Sequence, residues 1–112
     1  YIEGWYGVTD YINTSSDKNV QEFDKRFFEK YNKHTELYSA AYYGAAVCLI
    51  EAIERAGSTD RDAVMKAIKQ TKDLAVPVGF LNCDENNDLV HGITVAKVEN
   101  KTPVYIKYVS VD

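Results

Sequence analysis

The stretch that decides the fold is Tyr38–Gly57, with the sequence YSAAYYGAAVCLIEAIERAG. Apolar residues recur in it at steps of three and four, the spacing of one broad face of an α-helix. The residues on this face are Tyr42, Ala45, Ala46, Leu49, Ile50, Ile53 and Ala56. No charge falls between Leu37 and Glu51, so the sequence predicts a helix whose N-terminal half is buried nearly all round. Such a helix needs a sheet or several helices to cover it.

Capping residues predict where this helix ends and where two others begin. Gly57 follows the last apolar residue and can adopt the left-handed conformation that ends a helix. Thr59 followed by Asp62 resembles a capping box, which predicts a short third helix ending near Thr71. Upstream, Asp17 is placed to cap an amphipathic helix. The apolar face of that helix consists of Val20, Phe23, Phe27 and Tyr31.

Both ends of the chain favour strands. Glu3–Val8 is short and aromatic, which is typical of a strand. After Pro77, which cannot continue a helix, β-branched and aromatic residues flank a polar link at Glu99–Thr102 and predict an antiparallel hairpin. One strand, three helices and then strands ending in a hairpin is an α/β order.

The composition excludes several classes of protein. With 46% hydrophobic and 27% charged residues the chain has an ordinary globular composition, which excludes disorder. Its formal charge is -4 without a basic cluster, so nucleic acid is not an expected partner. No apolar run reaches the roughly 20 residues that a membrane-spanning helix requires. The first residues do not form a signal peptide and no initiating Met is present, so we expect a piece of a longer protein.

The motifs of metal sites and enzymes are incomplete. Asp84–Asp88 begins like a calcium loop, but Leu89 stands where Gly is needed and Val95 where Glu should close the site, which favours a solvated turn. His34 and His91 have no partner at metal-ligand spacing. The sequence also contains no phosphate loop and no nucleophile motif. It therefore predicts no metal, no cofactor and no catalytic residue.

The two cysteines, Cys48 and Cys83, lie far apart in the sequence. We interpret Cys48 as a small buried apolar residue and Cys83 as an unrelated thiol. A disulfide between them would need an extracellular setting and a close approach of the two backbones. The sequence establishes neither.

Aromatic residues are the strongest sign of a binding function. The chain has nine tyrosines and one tryptophan, and rings of this kind can both enclose and hydrogen-bond a small ligand. Those near the ends of predicted elements are Trp5, Tyr6, Tyr11, Tyr38, Tyr42 and Tyr43. Tyrosine also packs at ordinary core edges, so the residues alone leave a ligand site and a core edge both open.

The order of these segments resembles the C-terminal third of the type I periplasmic solute-binding proteins, the family that includes the leucine/isoleucine/valine-binding proteins of ABC transporters. The resemblance covers essentially the whole chain in order. The matching segments are EGWYGV at Glu3–Val8, the aromatic helix Phe23–Tyr31, AAYYGA at Ala40–Ala45, AIERAGSTD at Ala52–Asp60 and GFLNCDENND at Gly79–Asp88.

The sequence departs from the family pattern at three positions. Gly44 stands where the family usually has Asp, Cys83 where it has an aromatic residue, and Asn87 where Gly normally makes a turn. These positions are structural in the family, so the resemblance still implies the fold but leaves the turn at Asp84–Asp88 in question.

The resemblance implies an α/β, periplasmic-binding-protein-like I fold, in which two lobes are joined by three crossing strands and bind solute between them. Residues 12–75 would form the helical part of the first lobe, and residues 1–11 and 76–112 the crossover and second-lobe strands. Tyr38 matches a cleft position whose aromatic side chain touches the ligand. Trp5, Tyr6 and Tyr11 lie near the hinge and are weaker ligand-binding candidates. The groups that hold a ligand's carboxylate and amine would lie mostly in a preceding part of the protein.

The function implied is that of an exported, membrane-anchored solute-binding component of an ABC importer, periplasmic or extracellular. It would bind amino acids or similar small polar solutes and present them to the membrane permease. A sensor with the same fold is an alternative, as is an unrelated small α/β interaction module. Because a cleft needs both lobes, we expect the isolated chain to bind solute poorly and to self-associate through the face from Tyr42 to Ile53.

Overall fold

The computed structural model describes residues 2–111. It consists of one strand, three helices and five further strands, so the predicted order of elements is confirmed. They are β1 (Tyr6–Thr9), α1 (Lys18–Tyr31), α2 (Leu37–Ala56), α3 (Arg61–Ile68), β2 (Leu74–Val76), β3 (Gly79–Cys83), β4 (Leu89–Val90), β5 (Ile93–Glu99) and β6 (Thr102–Val109).

The strands form two separate antiparallel sheets, with the orders β1-β5-β6 and β2-β3-β4. We call the first the terminal sheet, and we call the three helices together with the second sheet the helical unit. The main contacts between elements fall inside one or the other of these units. The chain passes between them twice, after β1 and between β4 and β5.

The helix ends follow from local capping. Asp17 caps α1 as predicted, because its carboxylate accepts a hydrogen bond from the Asn19 amide at 2.7 Å. Gly57 ends α2 with φ of 60°, also as predicted. The predicted cap of α3 at Thr59 is wrong by one residue. Asp60 takes that place, since its carboxylate can accept from two amides, at 3.1 and 3.0 Å, where a hydroxyl commonly satisfies one.

The buried face of α2 is a narrow stripe of small residues spaced four apart, namely Ala40, Gly44, Cys48 and Ala52. Small side chains let the helix lie close to β2. A Cβ atom added to Gly44 would be 3.4 Å from Cβ of Val76. Around this contact the core of the helical unit gathers Val20 of α1 and Leu81 of β3, while α3 packs on the C-terminal half of α2.

The larger apolar residues of α2 face outward. Tyr42 is 77% exposed, Leu49 48% and Ile50 56%. The expectation that the N-terminal half of this helix is buried nearly all round is therefore wrong within this chain. The reason is geometric, because β2, β3 and α3 cover one side of α2 only.

The chain as a whole has more surface than a closed domain of its mass. Its radius of gyration is 15.8 Å, against about 13 Å for a compact domain of this length. Its accessible area is 7976 Å², against about 6,200 Å² for a compact monomer of 12.7 kDa. The excess of about 1,700 Å² exceeds the roughly 800 Å² that each partner buries in a standard protein interface.

The predicted hairpin is present as β5 and β6, joined by a two-residue turn between the paired residues Glu99 and Thr102. Both turn residues are left-handed, Asn100 with φ of 52° and Lys101 with φ of 63°, as a type I′ turn requires. The Glu3 carboxylate accepts hydrogen bonds from both turn amides, at 2.7 and 3.2 Å. Glu3, in the segment before β1, therefore stabilises the turn through these two hydrogen bonds.

Lys101 is a poor residue for this turn, so Lys101→Gly should raise the free energy of unfolding. Glycine adopts the left-handed conformation without steric cost but loses more backbone entropy on folding, and we expect a net gain of about 0.5–1 kcal/mol. Urea unfolding measures the change. Lys33→Gly is the control, since Lys33 is exposed and has no left-handed backbone, and it should lower stability. A loss of stability in Lys101→Gly would contradict the role of the turn.

Both cysteines are free thiols in this structure. Cys48 is 2% exposed in the core, as expected for a small buried residue, with its Sγ 3.8 Å from Oγ1 of Thr71. Cys83 is half-buried at the end of β3. The cysteines thus contribute packing and not a crosslink.

Candidate functional site

Tyr38 lies in the first turn of α2, with 71% of its surface exposed. The start of the helix is fixed by Ser39, whose hydroxyl accepts a hydrogen bond from the Glu36 amide at 2.9 Å. Tyr42 follows one turn later and is similarly exposed, so the two rings share one face of the helix. The Tyr38 ring is therefore accessible to a ligand or to another part of the protein.

The segment before Tyr38 is anchored to α1 through one carboxylate. Asp24 accepts hydrogen bonds from the amide and the hydroxyl of Thr35, at 2.7 and 2.6 Å. Its second oxygen is 2.7 Å from Nδ1 of His34. Burial opposes ionisation of Asp24, but the hydrogen bonds from Thr35 and His34 outweigh it and lower the pKa of the carboxyl group. Asp24 is therefore a charged anchor for the approach to α2.

Tyr11 continues this network into the core. Its side chain is 6% exposed, and its hydroxyl is 2.6 Å from Oγ1 of Thr35. Since the single proton of the Thr35 hydroxyl is donated to Asp24, the Tyr11 hydroxyl must be the donor to Thr35. Burial raises the pKa of Tyr11 and keeps that proton in place. The segment after β1 and the segment before α2 are thereby tied together.

Trp5 and Tyr6 belong to the terminal sheet instead. They are 66% and 65% exposed. The Trp5 carbonyl accepts a hydrogen bond from the Val98 amide at 2.9 Å, and Nζ of Lys97 lies 5.8 Å from the centre of the Tyr6 ring. Of the four sequence-predicted residues, the structure links Tyr11 to the segment just before Tyr38, and it places Trp5 and Tyr6 on the other unit.

A cavity of about 150 Å³ lies between the two units. The helical unit and the link after β1 contribute Tyr11 and Pro77 to its wall, and the terminal sheet contributes Thr94, Tyr105 and Tyr108. Typical small-molecule sites occupy about 300–1,000 Å³, so this space is too small for one. Tyr105 and Tyr108 could not be recognised from the sequence, because in a hairpin strand they look like ordinary strand tyrosines.

The calcium-like segment forms a turn, as predicted. One Asp84 oxygen accepts hydrogen bonds from the amides of Asn86 and Asp88, at 2.9 and 2.8 Å. Asn87, at the position where the resemblance expects Gly, takes a left-handed conformation with φ of 69°. Among residues 2–111, no three His, Cys, Asp or Glu side chains are arranged to hold a metal ion.

Comparison with known proteins identifies the family. The sequence matches the family model described as periplasmic binding protein over residues 1–103. A leucine-binding protein from Thermotoga maritima is 31% identical, with a TM-score of 0.79 over 96% of this chain. A branched-chain amino acid ABC transporter protein from Rhodospirillum rubrum, named as putative, is 25% identical, with a TM-score of 0.85 over 94% of the chain. A search of curated proteins found no match.

A third structure shares the fold at lower identity. The ABC transporter substrate-binding protein from Desulfitobacterium hafniense, solved in complex with Leu, is 21% identical, with a TM-score of 0.78 over 93% of this chain. The chain spans 31% of the length of each of these three structures. The resemblance and the fold class inferred from sequence are both confirmed.

Two further findings bear on the class of protein. In the part of the chain that the structure describes, no helix is long and apolar enough to cross a membrane. The matched family consists of extracytoplasmic binding proteins without enzymatic activity. The match over residues 1–103 and the shared fold together establish that this chain belongs to the periplasmic binding protein family.

Proposed function

We propose that this chain is the C-terminal part of an exported solute-binding component of an ABC importer, which binds amino acids or similar small polar solutes in a cleft between two lobes. The observation that carries the proposal is the family match over residues 1–103 together with the 31% identity to a leucine-binding protein. The uncovered outer face of α2 supports it, since a further part of the protein would cover that face.

The proposed division into lobes agrees with the two units except at β3 and β4, which lie within residues 76–112 but belong to the helical unit. Residues 12–75 belong to the first lobe, and residues 1–11 and 76–112 supply the crossover and second-lobe strands. Leu74 of β2 and Leu81 of β3 pack into the core of the helical unit, so these strands would move with the helices. The change of lobe would then come where the chain leaves the helical unit, between β4 and β5 at residues 91–92.

The proposed solute contact is Tyr38. Its ring is exposed while the backbone before it is held by the hydrogen bonds among Tyr11, Thr35 and Asp24, and a rigid support of this kind lowers the entropy cost of binding. Trp5 and Tyr6 are further candidates from the terminal sheet. Tyr11, with its hydroxyl bound to Thr35, would act by holding this support in place.

The proposed partners follow from the importer role. Solute binding would close the lobes, and the closed form would be recognised by a membrane permease. A membrane anchor would keep the protein near that permease. A sensor with the same fold is the second candidate, and it would carry a transmembrane or output domain in the full-length protein.

A thermal-shift screen of the full-length protein against amino acids tests the proposed function. Binding to the native state raises the melting temperature in proportion to the logarithm of ligand concentration above the dissociation constant. We expect a concentration-dependent rise with at least one aliphatic amino acid. A flat response to every amino acid would remove the amino-acid assignment.

Tyr38→Ala should weaken solute binding by about 1–2 kcal/mol, which is roughly five- to thirtyfold, because the solute loses its aromatic contact. Calorimetric titration of the full-length protein measures the change. Tyr42→Ala is the matched control, being an equally exposed tyrosine one turn later, and it should change stability but not affinity. Equal affinities in Tyr38→Ala and the unsubstituted protein would contradict the role of Tyr38.

A further inference from the structure

We propose that Tyr108 is a hinge latch, a side chain of the terminal sheet that fixes the angle of this sheet to the helical unit. Because lobe closure is part of the proposed function, the consequence for solute affinity rests on that function, but the latch itself does not. Tyr108 lies in β6 and is half-buried. Its ring contacts both the link between the units and the helical unit.

The first contact is a hydrogen bond to the link itself. The Gly92 amide donates to the Tyr108 hydroxyl at 2.8 Å. Gly92 lies between β4 and β5, where the chain passes from the helical unit to the terminal sheet. A Cβ atom on Gly92 would be 2.5 Å from Cζ of Tyr108 and would clash with the Val109 carbonyl oxygen. The absence of a side chain at Gly92 is what lets the ring reach the backbone.

The second contact is with the helical unit. Gly79 begins β3, and its φ of 120° is one that residues with side chains rarely adopt. A Cβ atom there would be 2.7 Å from Cζ of Tyr108 and would overlap its hydroxyl oxygen. The ring therefore sits against the backbone of Gly79. The Tyr108 ring thus fills the space beside two glycines, Gly92 in the link and Gly79 in the helical unit, where any side chain would exclude it.

The surroundings of Tyr108 favour a latch over ordinary core packing. The main contacts between elements lie within the two units and not across them, so a ring that contacts both the link and the helical unit can influence the angle between the units. The cavity of about 150 Å³ lies beside the ring, which gives the side chain space to leave Gly79 when the link bends. Hinges are formed by a few loop residues, such as those of this link, while the packed contacts beside them favour discrete arrangements.

The latch has a consequence for binding. A hydrogen bond and a ring contact that exist at one angle between the units stabilise that angle relative to others. Solute binding that changes the angle must overcome this difference, whereas binding that keeps the angle does not. Loss of the Tyr108 hydroxyl should therefore alter solute affinity without altering any group that touches the solute.

The test measures the angle directly in the full-length protein without solute. Spin labels are placed on cysteines introduced at Lys66 of α3 and Thr102 of β6, both exposed, in a background without accessible native cysteines. Pulsed electron–electron double resonance then gives the distribution of distances between the two spin labels, and so between the units. Tyr108→Phe keeps the ring but loses the hydroxyl, and we expect its distribution to be broader than that of the unsubstituted protein.

Tyr105→Phe is the matched control. The Tyr105 hydroxyl accepts a hydrogen bond from the Tyr108 amide at 3.1 Å, within the same strand, so its loss removes an equivalent bond that does not join the units. We expect an unchanged distribution. A Tyr108→Phe distribution as narrow as that of Tyr105→Phe would overturn the latch.

Hydrogen exchange at the Gly92 amide is a second measurement, and its first part uses the unsubstituted protein alone. The latch predicts that the Gly92 amide is protected from hydrogen exchange in the unsubstituted protein, and that in Tyr108→Phe it exchanges about two- to tenfold faster, as expected for loss of one hydrogen bond. An unprotected Gly92 amide would overturn the proposal even if the variant failed to fold. Neither measurement uses solute, so a flat amino-acid screen would leave the latch standing, and an unbroadened distribution would leave the solute proposal standing.

Discussion

Gly92→Ala is expected to destabilise the protein by about 3 kcal/mol. The added methyl group would meet the carbonyl oxygen of Val109 and the ring of Tyr108, and one of these is backbone that cannot rotate away. Insertion of a methyl group into a closely packed site commonly costs about 1–3 kcal/mol and more where backbone must shift. The buried amide that donates to Tyr108 would also lose its partner. The midpoint of urea unfolding of the full-length protein measures the effect.

Gly7→Ala is the control for this substitution. Gly7 also lies in a strand of the terminal sheet, in β1, but an added Cβ there has no atom within 4 Å. Its backbone is extended, so alanine should be neutral or slightly stabilising. Similar stabilities of the two variants would show that the Gly92 site is not packed as described.

Asp24→Asn is expected to cost about 1.5–3 kcal/mol at neutral pH. The carboxylate accepts from the Thr35 amide, the Thr35 hydroxyl and His34, and hydrogen bonds to a charged group are worth about 1.5–3 kcal/mol. The side chain is only 15% exposed, so water cannot replace these partners fully. Glu29→Gln is the control on the same helix, because that carboxylate is 63% exposed and 4.0 Å from Lys25, and such pairs contribute about 0–1 kcal/mol.

The cost of Asp24→Asn should also depend on pH. Folding lowers the pKa of Asp24 below its ordinary value of 3.8, so the unfolded chain binds a proton more readily than the folded one. The stabilisation by Asp24 is then complete above that ordinary value and is lost as the pH falls through the lowered, folded-state pKa. Urea unfolding from pH 7 down to pH 3 should show the two proteins converging. A constant difference across this range would contradict a charged anchor at Asp24.

Local chemistry made much of the fold predictable. The Asp17 carboxylate caps the start of α1, and Gly57 ends α2 in a left-handed conformation. Both effects depend only on nearby residues, so the local sequence was enough to identify them. The turn at Asn100 and Lys101 was predictable from the strand residues on both sides of it. The cap of α3 differed because Thr59 and Asp60 are adjacent capping residues, and the competition between them depends on geometry that sequence spacing does not contain.

The burial of α2 was harder to predict because periodicity gives a face but not its partner. The large residues Tyr42, Leu49 and Ile50 formed the more hydrophobic face, yet the close contact with β2 uses Ala40 and Gly44, where small side chains allow the backbones to approach. A helix with two apolar faces presents one of them to each of two layers. This chain contains one of those layers.

The candidate site was predictable in part for a related reason. Tyr38 was identified through the resemblance, and its exposure agrees with a role toward something outside the chain. Tyr108 could not be found in advance, since its contacts with Gly79 and Gly92 join strands whose pairing the sequence does not specify. The support given by Asp24 also depends on a tertiary contact, between α1 and the segment before α2.

The uncovered face of α2 has a direct physical consequence for the isolated chain. Tyr42, Leu49 and Ile50 are all at least 48% exposed, on a molecule with about 1,700 Å² more surface than a compact monomer of its mass. Large apolar side chains exposed together on one helix face favour association. We expect the isolated 112 residues to associate through this face, and Leu49→Lys together with Ile50→Lys to weaken the association.

Light scattering coupled to size-exclusion chromatography on the isolated chain therefore tests whether the outer face of α2 needs a partner to cover it. We expect a mass well above the 12.7 kDa of one chain, falling toward that value in the Leu49→Lys, Ile50→Lys variant. A uniform 12.7 kDa species that melts cooperatively would contradict it, because the chain would then be complete without any partner for the outer face of α2.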